Sequence, residues 1–271
     1  MSDIELHHSD SDAGSPALFF VHGFSSGLED WDPQVAHFSQ RHRVIAPALR
    51  GHGRSPRGTG DMSMPQLAED CVALARAKGV TSMVVAGHSM GTRIALDMRR
   101  QAPDLVTGLI LVDGSNTAGA GKDAALAGFN KGVEEHGYAP FARGLFEAMF
   151  FDAKHDALKA KLVARALSVP ETTAGPLYRN MIQWDGDEAQ AVMQSAKVPI
   201  LVLQSTTRGA DNMRRTLAAG ETGAYEALVT KNAPHADIVA MPGLGHFITI
   251  EAPDQVNAEM DAWLDKHGLR G

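Results

Sequence analysis

The chain predicts an α/β protein: a mostly parallel sheet flanked by helices, with a helical segment inserted between two strands. Three observations lead there. Six short apolar runs lack alternation and are bounded by Gly, Pro or polar residues, as strands buried on both faces are. Helical patterns separate most of these runs, which implies βαβ units and parallel pairing. Residues 116–197 contain no convincing strand, and that is far more chain than a crossover needs.

In chain order the strand runs are ALFFVHG (17–23), RVIAPA (43–48), SMVVAG (82–87), GLILVDG (108–114), PILVLQS (199–205) and ADIVAMPG (236–243). Ser63 and Gln66 have capping-box spacing, with Pro65 in the first turn, and open a helix through Ala77. The run TRIALDMRRQA (92–102) is a second helix, and PDQVNAEMDAWLDKH (253–267) closes the chain. Residues 116–197 read as several helices forming a cap, or lid, on one end of the sheet. The core is then 1–115 and 198–271. The cap contributes Phe129, Phe141, Phe146, Met149, Phe150, Phe151 and Trp184. Most of these suit a lid core. Trp184, near the return to the sheet, is the candidate substrate contact, so replacing it should change acyl-chain preference.

Composition narrows the function classes. The chain has 271 residues, and 44% of them are hydrophobic, ordinary for a globular protein. Its net charge of −7 is spread without blocks of one sign, which argues against nucleic acid or an anionic membrane surface as partner. No stretch reaches the ~18 uncharged apolar residues of a spanning helix. The start, MSDIELHHSDSDAGS, is acidic and polar, unlike a signal peptide. Cys71 is the only cysteine, so no internal disulfide can form, and it falls on the apolar face of a helix. A cytoplasmic protein is the simplest expectation; oligomeric state is not legible.

The chemistry centres on MVVAGHSMGTRIALDM (83–98). A buried strand ends in Gly-x-Ser-x-Gly and feeds a helix at once, the context of a nucleophile elbow. Gly87 and Gly91 lack the Cβ atoms that would clash in so sharp a turn. Ser89 is the candidate nucleophile, exposed above the sheet beside the positive end of the following helix. A serine hydroxyl needs a base within hydrogen-bond reach, and the base needs an orienting acid. Of the 12 histidines, His246 lies on a loop between the last strand and the last helix, where the base belongs. Activity should therefore fall on the acid side near the ordinary histidine value of ~6 to 7. His88 adjoins the serine and points away from it, into packing or a sheet hydrogen bond. Backbone N–H groups of Met90 and Phe24 are the candidate oxyanion donors. Gly23 lets the loop VHGFSSG turn under the substrate, and His22 holds the loop in shape.

These motifs give the chain a family likeness. HGF with Trp31 eight residues after Gly23, RGHGRS (50–55), GHSMG, LVDGS and GLGHF occur in order along nearly the whole length. The chain resembles the α/β-hydrolase superfamily, and within it the small bacterial carboxylesterases with a helical cap. The resemblance implies a sheet of about eight strands, a Ser/acid/His triad, and neither cofactor nor metal. It departs from the usual pattern at Ala48, where such proteins often have Asp, and at Thr92 after the elbow. The segment before residue 17 is short for two leading strands.

The acid has two candidates. The resemblance places an Asp just past the strand after the cap, but that position holds Arg208, with Asp211 three residues on. Asp113 ends the strand after the elbow helix, at the carboxyl edge where ligands collect in open α/β sheets. Asp113 is the better placed and Asp211 the alternative. The expected activity is hydrolysis of a small, largely apolar ester, thioester or lactone through an acyl-enzyme. C–C bond hydrolysis and perhydrolysis are variants on the same fold. A ligand sensor that keeps the triad without turnover is the alternative of another class.

Overall fold

The computed structural model describes residues 2–12, 14–119, 121–209 and 213–270. The apolar runs form strands because each buries alternate side chains on opposite faces of one sheet. Leu18, Phe20, Val84, Ile110 and Leu203 point to one side, with Trp31, Phe38, Val256, Met260 and Trp263. Phe19, Val21, Val85, Leu111 and Val202 point to the other, with Leu67, Cys71 and Ile94. Cys71 is a buried free thiol there.

The strands are β1 (His8–Asp10), β2 (Ala17–Val21), β3 (Val44–Pro47), β4 (Met83–His88), β5 (Val106–Val112), β6 (Ile200–Gln204), β7 (Thr206–Arg208), β8 (Arg214–Thr216) and β9 (Asp237–Ala240). Seven of them form the sheet, in the order β1-β3-β2-β4-β5-β6-β9. Only β1 runs antiparallel to its neighbour; β2, β3, β4, β5, β6 and β9 pair in parallel. The sheet therefore has seven strands among the described residues, not about eight. The leading segment has room for one short strand, and β7 and β8 form a separate antiparallel ribbon.

Helices α1 (Asp32–Phe38), α2 (Met64–Ala77) and α3 (Gly91–Gln101) flank the first half of the sheet. The capping box of α2 is half made. Ser63 Oγ accepts the Gln66 N–H at 3.2 Å, but the Gln66 amide donates toward Glu69 and Asp70 instead of reaching back. Between β5 and β6 come five helices: α4 (Lys122–His136), α5 (Tyr138–Glu147), α6 (Asp156–Ser168), α7 (Glu171–Asp187) and α8 (Ala189–Ser195). Ion pairs tie them to the rest, one buried and one part-buried. Arg93 of α3 holds Asp185 of α7 through two bonds of 2.8 and 2.6 Å, and Arg165 of α6 holds Asp30 at 2.5 and 2.6 Å. Helices α9 (Ala224–Asn232), α10 (Ile248–Glu251) and α11 (Pro253–Lys266) complete the described chain. No helix among the described residues is long and apolar enough to cross a membrane.

Candidate active site

Strand β4 ends at His88, Ser89 makes the turn, and α3 begins at Gly91. The backbone of Ser89 has φ of 56°, a left-handed conformation that costs a non-glycine residue energy. Three things hold it there. The Ser89 N–H donates to the Val112 carbonyl at 2.9 Å. A Cβ on Gly87 would run into the carbonyl of Gly91, and one on Gly91 into the carbonyl of Val21. Only glycine lets the two arms of the turn approach this closely. Gly23 faces the serine directly, since a Cβ there would lie 3.2 Å from Ser89 Cβ.

The described residues give neither the Phe24 nor the Met90 N–H a hydrogen-bond acceptor. Both flank Ser89, and Met90 caps the N-terminus of α3, so the helix dipole adds positive potential at that point. His22 shapes the Phe24 loop: its Nδ1–H donates to the Gly23 carbonyl at 2.8 Å, while Nε2 accepts the Leu49 N–H at 3.0 Å. His88 reaches across and donates from Nε2 to the His246 carbonyl at 2.8 Å. It holds the histidine loop and leaves the serine free.

His246 and Asp113 meet, with Nδ1 to Oδ2 of 2.5 Å and both residues buried. Asp113 is itself held by a dense shell. Its Oδ1 accepts from Ser205 N–H, Ser205 Oγ–H and Thr206 N–H at 2.8 to 2.9 Å, and its Oδ2 accepts from Thr206 Oγ1–H at 2.5 Å. Burial alone would raise this carboxyl, but the hydrogen bond from His246 and the Arg214 cation outweigh it and keep Asp113 ionised. Asp211 lies outside the described residues.

Arg214 carries no signal in the residue pattern. It comes in on β8, with a buried side chain. Its Nη1 donates to Thr206 Oγ1 at 2.5 Å and to Asp113 Oδ2 at 3.3 Å, and it lies 3.1 Å from His246 Nδ1. Nδ1 cannot donate to Asp113 and accept from Arg214 at once. The shorter bond to Asp113 assigns the proton to Nδ1, which leaves Nε2 as the basic nitrogen. Burial, and next the Arg214 cation, push the His246 pKa far down against the pull of Asp113. The acid limb of an activity that uses His246 as its base is therefore expected below the ordinary histidine range.

Five buried histidines, His42 among them, share this trend, and burial is the leading cause in each. His22, His42, His88 and His246 are lowered, and His52 is lowered to about 4. The unfolded chain takes up protons near the ordinary value of 6.5, where the folded chain refuses them. Stability is therefore expected to fall as pH drops below about 6.5, by up to about 1.4 kcal/mol per group per pH unit. Melting curves from pH 8 to 5 check this, and a melting temperature that is flat across that range would contradict it.

Trp184 is placed away from this site. Its indole Nε1–H donates to Asp97 Oδ2 of α3 at 2.6 Å, deep between α7 and α3. The cavity of about 610 Å³ beside the site is walled by Phe129, Phe141, Tyr178 and Ile182, and Tyr178 packs edge-on against Phe24 at 5.3 Å. Hydrophobic spacing marks a helix as amphipathic but does not say which buried aromatic faces a void. Trp184→Ala is expected to cost about 3 to 5 kcal/mol of stability and to leave the long-over-short acyl ester ratio unchanged. Denaturant unfolding and an ester-length series check both. The cavity is not wholly apolar, because Arg208 also lines it.

The parallel sheet and its flanking helices agree with the comparisons. The profile described as the alpha/beta hydrolase family matches residues 18–259, and the chain belongs to that family. It is 26% identical over 262 residues to the dihydrolipoyllysine-residue acetyltransferase component of the acetoin cleaving system of Pseudomonas putida, covering 94% of this chain and 65% of that protein. It is 24% identical to the (E)-2-((N-methylformamido)methylene)succinate hydrolase of Acinetobacter baylyi, covering 96% and 94% of the two chains. This chain thus spans less than two thirds of the first relative and nearly all of the second. Among solved structures, an esterase from Thermogutta terrifontis superposes with a TM-score of 0.79 at 24% identity, over 97% of this chain and 94% of that one. The enol-lactonase of Burkholderia xenovorans gives 0.76 at 22% identity, over 97% of each chain. Those two likenesses are of fold.

Proposed function

We propose that the protein is a serine hydrolase acting on a carboxylic ester or lactone through an acyl-enzyme. The observation that carries this reading is the buried Asp113–His246 hydrogen bond of 2.5 Å, formed in the same loop cluster as the strained elbow of Ser89. Ser89 Oγ attacks the carbonyl carbon and passes its proton to His246 Nε2. Asp113 holds the Nδ1–H tautomer and stabilises the imidazolium formed during attack. The N–H groups of Phe24 and Met90 take the negative charge of the tetrahedral oxygen. His246 returns the proton to the leaving alcohol, and water then cleaves the acyl-enzyme by the same route.

Helices α4 to α8 act as the cap that closes the substrate cavity. Two comparisons support an ester or lactone, since an esterase and a lactonase share the fold. The test is a panel of p-nitrophenyl acetate, p-nitrophenyl butyrate and simple lactones. Saturable turnover of at least one, with covalent labelling by an alkyl phosphonate at Ser89, is the expected result. Labelling at another residue would overturn the assignment.

A further inference from the structure

Arg214 is more than a neighbour of the triad. A guanidinium offers five N–H donors on three nitrogens, yet every hydrogen bond that Arg214 makes to a described residue comes from Nη1. The Nε and Nη2 edge has no partner among the described residues. That edge presents two parallel donors, the geometry that grips a carboxylate in bidentate fashion. The side chain is buried, and burial is the first reason its pKa drops to about 10. A buried cation held by one nitrogen has charge to spare, because Asp113 is also engaged by His246, Ser205 and Thr206.

The chain provides a space at that place. A cavity of about 220 Å³ is lined by Arg214, Arg208, Asn116, Thr207, Gln204 and Tyr225, among others. Arg208 and Asn116 also line the larger cavity of about 610 Å³, so the two spaces share a wall. Arg208 shares the lining with Arg214, and a small, partly desolvated volume strengthens the field of the charges around it. Gln204 adds a second feature. Its amide nitrogen donates to the carbonyls of Gly114 and Thr206 at 2.9 and 2.7 Å. Its Oε1 is buried without a hydrogen-bond partner among the described residues, so it calls for a donor.

We propose that Arg214 Nε and Nη2 form a carboxylate-binding site, with Gln204 Oε1 accepting a hydroxyl or N–H of the same ligand. The carboxylate belongs either to the substrate itself, extending from the acyl group bound at Ser89, or to a separate small acid that occupies the cavity. This deepens the ester-hydrolase reading and rests on it for the substrate arm only; binding in the cavity stands without turnover.

The experiment separates these. In Ser89→Ala, which binds without turning over, 3-hydroxybutyrate should raise the melting temperature saturably and more than butyrate does. The shift should be lost in Ser89→Ala/Arg214→Gln, and Arg214→Lys covers the case in which the glutamine variant does not fold. No shift with either acid would overturn the site, whatever the hydrolase assay shows. In the active enzyme, kcat/KM for mono-p-nitrophenyl glutarate over the neutral p-nitrophenyl pentanoate should exceed one by roughly tenfold or more, and the ratio should collapse in Arg214→Lys. That result assigns the carboxylate to the substrate. A ratio near one, with added 3-hydroxybutyrate changing the rate on the neutral ester saturably, assigns it to a separate acid. Absence of Ser89-dependent turnover on every ester would sink the hydrolase reading and leave the binding result to stand by itself.

Discussion

Ser89→Ala is expected to fold like wild type and to lose ester hydrolysis by roughly 10⁴-fold to 10⁶-fold. The size follows from the chemistry. Without Oγ there is no acyl-enzyme, and only oxyanion donors and binding remain to accelerate attack by water. Folding should survive because no described hydrogen bond from Ser89 Oγ supports the elbow. The turn is held by backbone contacts at Gly87 and Gly91 and by the Ser89 N–H bond to Val112. Alanine also removes nothing from the core. The measurements are steady-state turnover, a melting curve and phosphonate labelling followed by peptide mapping. Retained turnover in the variant would remove Ser89 from the mechanism.

Asp113→Asn is expected to lower kcat by about 10² to 10⁴. The amide keeps the shape, but it presents an N–H to a histidine nitrogen that must itself donate. His246 then turns to the wrong tautomer, with the proton on Nε2. Here the substitution does a second thing. Arg214 Nη1 stands 3.3 Å from Asp113 Oδ2 and 3.1 Å from His246 Nδ1, and with the carboxylate gone it becomes the natural donor to that nitrogen. Both changes work against the base, so the loss should sit toward the upper part of the range. Asp211→Asn should stay within a few-fold of wild type. The reverse ranking would show that the loop carrying Asp211 supplies the acid. A pH profile adds a check, since a neutral amide beside a retained arginine should push the acid limb lower still.

Much of the fold could be read in the sequence because its strands are buried on both faces and declare themselves as apolar runs. The position of Asp113 was legible for a related reason: it ends such a run, next to the strand that ends at Ser89. His246 was legible by its place between a strand and a helix. Their roles are those proposed above; what the residues displayed in advance was position. The ribbon of β7 and β8 was illegible. Thr206–Arg208 and Arg214–Thr216 are three residues each and polar, so neither periodicity nor hydrophobicity marks them. The strand β1 was missed for the same reason, since His8–Asp10 is a short polar edge strand. Arg208 in a customary acidic position was the one signal that the loop differed, and it gave no hint of Arg214. Composition does not reveal that the indole N–H of Trp184 is spent on the buried carboxylate of Asp97.

The loop that carries His246 is fastened to the end of α5 and the segment that follows it. The His246 N–H donates to the Met149 carbonyl at 3.1 Å, and Phe247 stacks on Phe150 with ring centres 5.4 Å apart and also meets Phe146. A gate that opens by lifting that segment must therefore break a bond to the base itself. If the cap admits substrate in that way, opening it and keeping the His246 loop in its closed seat exclude one another. The amide of His246 should exchange with deuterium at the rate of gate opening, and faster in Phe150→Ala, which removes the stacked ring. Turnover in such a variant would be limited by how often the loop finds its closed seat and not by proton transfer.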